Sequence, residues 1–395
     1  MLFIIKIAVI CLRGLYVPFK LIFKPRNKIT MLSRQYNKSP LSYTLTKDAL
    51  HKIDKNIEVV ILAKKVEGSI FQKVGYCFHV IEQMYHIATS KIVIVDGFCI
   101  PVSVLNHKKD QIFVQMWHAL NVIKKFGYLA LDKPAGVNAQ LAEVMCMHKN
   151  YTHILSGSAK TGEIYKKSFN SDAQVVVTGL PYLDYIQNPC QSRMDEMVEK
   201  YPQIKTKINL LYAPTFRKLR PVHLEWIEKY IDLDKYNVIV KLHPVDRKGF
   251  KGDIDPRIIC DASFSTFEWL WLCESMITDY SGISVESALL NRKLYFYLYD
   301  REVYEKETGL NVDLYDEPLS KYVTESAEEL SKLLPKCQST SQEASWYLWE
   351  LGISYNYRPH SKLFSRTPRR HTFFTIITPK KPKVNNTAKI TYYLK

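Results

Sequence analysis

No two cysteines in this chain stand in a C-x-x-C spacing, and its 8 cysteines are scattered. Zinc ribbons and thioredoxin-like redox centres need that spacing, so neither is indicated. Cys146-Met147-His148 is a close Cys/His pair, but its spacing suits no metal module, so no metal site is expected. The thiols read as buried groups of a reducing compartment. Neither G-x-x-x-x-G-K-[ST] nor G-x-G-x-x-G occurs, which removes the main support for ATPase, GTPase and dehydrogenase readings. Repeats at solenoid periods are absent. Residues 1–23 are strongly apolar, but Lys6, Arg13 and Lys20 interrupt them, so no unbroken span reaches the ~20 residues of a transmembrane helix. Those charges lie inside the apolar run, and no small-residue cleavage site follows, which argues against a secretion signal.

What is present is a folded, basic protein. The apolar content of 47% and charged content of 24% are those of a globular chain, and 395 residues suffice for two domains. Lys+Arg outnumber Asp+Glu by 55 to 39, giving +16 and an expected attraction to anionic partners. Lys6, Arg13 and Lys20 fall on one face of a helix, extended by Lys24, with Leu, Ile, Val and Phe opposite. That pattern predicts a segment (1–28) lying on an anionic membrane surface, bent or ended at Pro18. A helix docked on the protein's own core is the alternative. From residue 365 to 395 a basic tail carries no acidic residue; a solvated tail or a second polyanion contact both suit it.

Between these ends, strands and helices alternate. Residues 57–63, 91–96, 111–117, 154–155 and 174–178 read as strands, with helices over 71–88, 137–148 and 158–169. Residues 181–202, with Pro189 inside, read as a linker. The alternation restarts with strands at 208–212 and 236–242, helices at 223–231 and 266–273, and strands at 275–278 and 293–299. This is the mark of parallel sheets flanked by helices, in two α/β halves covering 29–190 and 203–360. Ligands of such halves bind at the carboxyl ends of the strands.

Four stretches stand at those ends. Asp279-Tyr280-Ser281-Gly282 turns from a strand into a helix beginning near Ile283, whose first N–H groups suit a phosphate; an ordinary Ser-capped turn is the alternative. Gln115-Met116-Trp117-His118 ends a strand with a histidine. Tyr212-Ala213-Pro214-Thr215-Phe216-Arg217 ends another with a hydroxyl and a cation, and Lys241-Leu242-His243-Pro244 a third with a lysine and a second histidine. A single histidine is usually structural, but two at strand ends, one per half, beside Arg217 and a phosphate-type turn suit phosphoryl transfer.

With Ser33-Arg34-Gln35-Tyr36-Asn37, Lys125-Phe126-Gly127-Tyr128, Thr178-Gly179-Leu180-Pro181 and Phe296-Tyr297-Leu298-Tyr299-Asp300, these stretches resemble the CDP-glycerol or CDP-ribitol polyol-phosphotransferases of teichoic acid biosynthesis. The resemblance runs from about residue 29 to 314. It implies a GT-B-like α/β architecture, with two Rossmann-like domains and the active site in the cleft between them, the acceptor on the first and the donor on the second. It also implies transfer of glycerol or ribitol phosphate from a CDP-polyol to a hydroxyl of an undecaprenyl-pyrophosphate-linked acceptor, with CMP leaving. The enzyme would sit peripherally on the cytoplasmic face of the membrane. No cofactor beyond the CDP-polyol donor and no nucleic acid partner is implied. His118 matches the family's general base, and His243 a second histidine that stabilises charge on the transferred phosphate or departing CMP. Ser281 and Gly282 match pyrophosphate-holding positions, Glu286 an acidic position near the donor's cytidine or ribose, and Thr215, Phe216 and Arg217 a donor-binding stretch. Lys241 and Leu242 accompany His243 in the same set, and Arg217 and Lys241 are expected to neutralise the pyrophosphate. Three positions depart from the common pattern. Ala119 replaces a glycine, Tyr182 stands at a substrate-binding position where many members carry arginine, and Gly282 replaces a serine. The competing expectations are a sugar-nucleotide glycosyltransferase of the same architecture and a non-catalytic basic module.

Overall fold

The computed structural model describes residues 2–66, 70–120, 123–217, 223–243 and 254–334, with single positions 246, 344, 347 and 348. The basic tail expected over 365–395 lies outside the described residues.

Two parallel sheets form the frame. The first is built from β1 (Arg26–Ser33), β2 (Glu58–Ala63), β3 (Ser90–Val95), β4 (Ile112–Gln115), β5 (His153–Ser156) and β6 (Gln174–Val177), in the order β2-β1-β3-β4-β5-β6. The second uses β7 (Ile208–Tyr212), β8 (Tyr236–Val240), β9 (Ser275–Thr278), β10 (Lys293–Tyr297) and β11 (Val323–Thr324), in the order β11-β10-β9-β7-β8. Counted within its own lobe, the first sheet runs 2-1-3-4-5-6 and the second 2-1-3-4-5. The strand order therefore reverses between β1 and β3 in one lobe and between β7 and β9 in the other, and a crevice opens at each reversal. Helices cover both faces, so central strands bury both sides; Met31, Ile94, Leu211 and Met276 are all fully buried.

The apolar core is continuous from lobe to lobe. One cluster joins Met31, Ile94 and Val114 of the first sheet to Leu211, Ile239 and Phe296 of the second. The expected linker is the bridge between them, folded as helices Tyr182–Gln187 and Gln191–Lys200 against the second lobe. Trp271 Nε1 donates to the Ile186 carbonyl at 2.8 Å, and Arg193 Nε donates to buried Glu268, also at 2.8 Å. A second crossing lies at the cleft rim. Lys124 forms an antiparallel bridge with Leu310, the Asn311 N–H donates to Ile123 O at 2.7 Å, and the Lys125 N–H donates to Gly309 O at 2.9 Å.

The N-terminal helix, Leu2–Ile22, runs through Pro18 rather than ending there. It is docked on the first lobe, with Val9 and Tyr16 buried and Ile5, Leu12, Phe19 and Phe23 packed beside them. Arg13 corrects the expected basic face toward lipid: its Nε donates inward to Val104 O at 2.8 Å. The outward face is apolar, with Phe3 73%, Ile10 65% and Leu21 76% exposed.

Candidate active site

The wall contributed by the first lobe starts from a carboxyl. Asp96 follows β3, is only 3% exposed, and accepts from Ser33 Oγ at the end of β1 at 2.6 Å. Burial holds its pKa up at about 6. Beside it β4 ends in Gln115, whose side chain shapes the next turn. Its Oε1 accepts the Trp117 N–H at 2.9 Å, and its Nε2 donates to Gly97 O at 3.2 Å. Trp117 is thereby held at φ 59°, a left-handed conformation unfavourable for a bulky side chain. Ring packing sustains it: the indole stacks on Phe126 at 4.8 Å and meets Phe169 and His148 edge-on.

The strained turn delivers His118. Its Nδ1 lies 2.7 Å from the Asp96 carbonyl oxygen. A carbonyl only accepts, so Nδ1 carries the proton and Nε2 keeps its lone pair. The ring lies deep between the lobes yet its surface is open to the cleft. Burial lowers its pKa, and the charge of Lys124 adds to that against the opposing Asp96 carbonyl. It is a neutral base facing solvent in a recess.

The opposite wall is the β7/β9 crevice. The Thr215 N–H donates to both oxygens of Asp279, at 2.8 and 3.1 Å. Arg217 pairs with Asp279 at 2.8 Å and with Asp300 at 2.8 Å, and its Nη1 donates to Thr215 O. Tyr280, Tyr299 and Tyr304 surround the guanidinium. Burial alone would weaken this cation, but Asp279 and Asp300 overrule it and raise its pKa. The expectation that Arg217 and Lys241 present their charge to a ligand is therefore corrected. Arg217 is buried between two carboxylates and holds the turn in shape, while Lys241 Nζ donates to Asp261 O at 2.8 Å and is tied to the Phe264 carbonyl as well.

Ser281 and Gly282, both half-buried, lead into the helix Ile283–Leu289, as the sequence implied. Gly282 has φ −57° and ψ −28°, which any residue adopts, so the backbone does not demand glycine there. One turn on, Glu286 is buried and accepts from Tyr182 Oη at 2.6 Å. Burial raises the Glu286 pKa to about 7, against the Tyr182 hydrogen bond. Tyr182 itself is buried, stacked on Phe267 at 5.1 Å. It reaches the donor side through Glu286. Leu242 packs at the edge of the second lobe's outer core.

His243, exposed at the end of β8, lies against the Phe216 ring at 4.8 Å. Its pKa is lowered by burial first, then by Lys65 and Lys124. These two lysines are the cations that sequence reasoning missed. Lys124 is half-buried on the cross-lobe bridge. Burial lowers its pKa, Asp279 opposes that, and Arg217 adds to it. It therefore sits within electrostatic reach of both histidines and of the Asp279 turn. Among the described residues, no three His, Cys, Asp or Glu side chains gather as a metal-holding set.

A neutral imidazole with an unprotonated Nε2 on one wall, a phosphate-type turn on the other and cations between them can deprotonate a hydroxyl beside an anionic group. Residues 20–347 match the family described as CDP-Glycerol:Poly(glycerophosphate) glycerophosphotransferase. The chain belongs to this family. It is 30% identical over 268 residues to the teichoic acid ribitol-phosphate primase of Bacillus spizizenii, covering 65% of this chain and 69% of that one. To the teichoic acid glycerol-phosphate primase of Bacillus subtilis it is 28% identical over 315 residues, covering 74% and 79%. A structure of the wall teichoic acid polymerase TagF soaked with CDPG superposes with a TM-score of 0.69 at 17% identity, covering 95% of this chain and 96% of that one. The fold is GT-B-like, with two Rossmann-like lobes about a cleft, as expected for this glycerophosphotransferase family.

Proposed function

We propose that this chain transfers glycerol or ribitol phosphate from a CDP-polyol to a hydroxyl of an undecaprenyl-pyrophosphate-linked acceptor, releasing CMP. The observation that carries this reading is the tautomer of His118, with Nδ1–H held by the Asp96 carbonyl and Nε2 open to the cleft. The acceptor oxygen attacks the donor phosphorus that bears the polyol. Its proton passes to His118 Nε2, and the bond to the bridging oxygen breaks with its electron pair leaving on CMP. Thr215, Phe216, Ser281 and Gly282 line the donor side, with Glu286 toward the cytidine or ribose. His243, Lys124 and Lys65 offset the charge that builds on the transferred phosphate and on CMP. Arg217, Lys241 and Tyr182 hold this wall rather than touch the donor. These cations belong to the chain, and no resident cofactor is part of the reading.

The outward apolar face of the N-terminal helix supports a peripheral position on the cytoplasmic face of the membrane, where such an acceptor would lie. The decisive experiment incubates the protein with a synthetic lipid-linked acceptor and CDP-glycerol, CDP-ribitol or sugar nucleotides, with mass analysis of products. A mass gain of one or more polyol phosphates with CMP release is expected. Sugar transfer with release of UDP or GDP would establish a glycosyltransferase instead.

A further inference from the structure

The 33–37 loop leaves β1 where β1 and β3 part, and the donor chemistry above does not use it. Hydrogen bonds tie it to the groups that hold the reacting histidine. Ser33 Oγ donates to Asp96 Oδ2 at 2.6 Å and accepts the Gln35 N–H at 3.2 Å. Gln35 Nε2 lies over Gly97, where an added methyl group would come within 3.3 Å of it. Asn37 Oδ1 accepts the Lys65 N–H at 2.9 Å, which places that lysine beside the loop. Asp96 itself supplies the carbonyl that fixes His118.

Gln35 and Tyr36 are exposed along this edge, Tyr36 by 45%. The phenol nevertheless stands deep enough for burial to raise its pKa, with the Asp96 carboxyl adding to it. Beneath them, Asp96 Oδ1 is buried and makes no hydrogen bond among the described residues. The equivalent carboxylate of the other lobe, Asp279 after β9, has both oxygens engaged by the Thr215 N–H and one by Arg217. A buried carboxyl oxygen without a partner leaves a hydrogen bond that a ligand hydroxyl can complete.

We propose that this crevice is the subsite for the attacking end of the acceptor, a group with neighbouring hydroxyls and an adjoining phosphate. The hydroxyls bond Gln35, Tyr36 and Asp96 Oδ1, and the phosphate meets Lys65. The proposal rests on the polyol-phosphate transfer reading and adds to it where the nucleophile is held. Two acceptors carry this chemistry, a sugar next to a lipid pyrophosphate and the polyol phosphate end of a growing chain.

The test uses the full chain and its Tyr36→Phe, Gln35→Ala and Asp96→Asn variants, with both acceptor types. Acceptor KM and kcat are measured at saturating donor, and donor affinity by calorimetry with the CDP-polyol that the wild type uses. Each variant should raise the KM of one acceptor by about tenfold, the loss of one hydrogen bond in a site built for a hydroxyl. Donor affinity should stay within about twofold by the same reasoning. The acceptor that responds identifies the occupant. Tyr36→Phe and Gln35→Ala change exposed side chains, so they decide the matter even if Asp96→Asn unfolds. Unchanged acceptor KM in both, or a loss confined to donor affinity, overturns the subsite while leaving the transfer reading intact. A wild type that uses neither CDP-polyol removes the transfer reading and the subsite with it.

Discussion

His118 can act as a base only while its proton sits on Nδ1, and the Asp96 carbonyl keeps it there. His118→Gln should therefore lower kcat by about 100-fold or more, the span general-base catalysis supplies, with an unchanged melting midpoint. Because burial lowers the pKa of this imidazole, the acidic limb of the wild-type pH–rate profile should fall below the ordinary histidine value of 6.5. A limb at or above 6.5, or retained turnover in the variant, would assign the base elsewhere. The cations divide by the same logic. The charge of Lys124 reaches both histidines, so Lys124→Met should cost on the order of 100-fold in kcat with little change in stability. Arg217 is buried between Asp279 and Asp300, so Arg217→Met leaves two buried carboxylates without its compensating charge and should cost about 3–5 kcal/mol in denaturant unfolding. If the two variants exchange phenotypes, the division between ligand-facing and structural cations is wrong.

At the scale of elements, the N-terminal helix has two apolar stripes. The inner one carries Val9 and Tyr16, and the outer one Phe3, Ile7, Ile10, Val17 and Leu21. The inner stripe explains docking on the lobe; the outer has no partner among the described residues and suits a lipid interface. Ile10→Asp with Leu21→Asp should abolish flotation with vesicles containing anionic lipid, at unchanged melting midpoint, because each side chain buried in lipid contributes about 1.5–3 kcal/mol. Equal flotation of variant and wild type would exclude that face. This helix also marks where sequence reasoning stops. Cations spaced seven apart fix a common face, but not whether that face meets lipid or, as Arg13 does, a carbonyl of the same chain. Long periodic elements were legible: β7 falls at residues 208–212 as expected, the turn into Ile283–Leu289 likewise, and Ile70–Thr89 within one residue of its expected ends. β1 was not, because its buried Lys28 is satisfied by His86 and Thr89, far along the chain. The expected helix over 137–148 shrank to Ala139–Val144, since Cys146 and His148 take positive φ. The two histidines were legible as strand ends, whereas Lys124 acquires its role from a bridge to Leu310 in the other lobe, which no local pattern encodes.

At the scale of the whole molecule, the Tyr182–Glu286 pair joins the interlobe helix to the helix behind the phosphate-type turn. Glu286 sheds its proton near 4.5 in an unfolded chain and near 7 in this fold, because burial disfavours its charge. The native state therefore binds the extra proton between those values, and its stability falls as pH rises through the window, by about 3 kcal/mol once both are passed. Asp96, raised from 3.8 to about 6, acts in the same direction over a lower window. His118 and His243 act oppositely, because their lowered pKa values favour the fold only above the acid range. Glu286→Gln keeps the Tyr182 hydrogen bond and removes the titration, so comparing it with the wild type cancels every other group. The melting midpoints should coincide near pH 4, below both values, and separate toward pH 8, with the variant the more stable. Parallel profiles would mean that Glu286 ionises without cost and that this contact is wetter than its geometry indicates. A ligand hydroxyl on Glu286 Oε2, which has no partner among the described residues, should narrow the gap, so saturating CDP-polyol should stabilise the wild type more than the variant at pH 8.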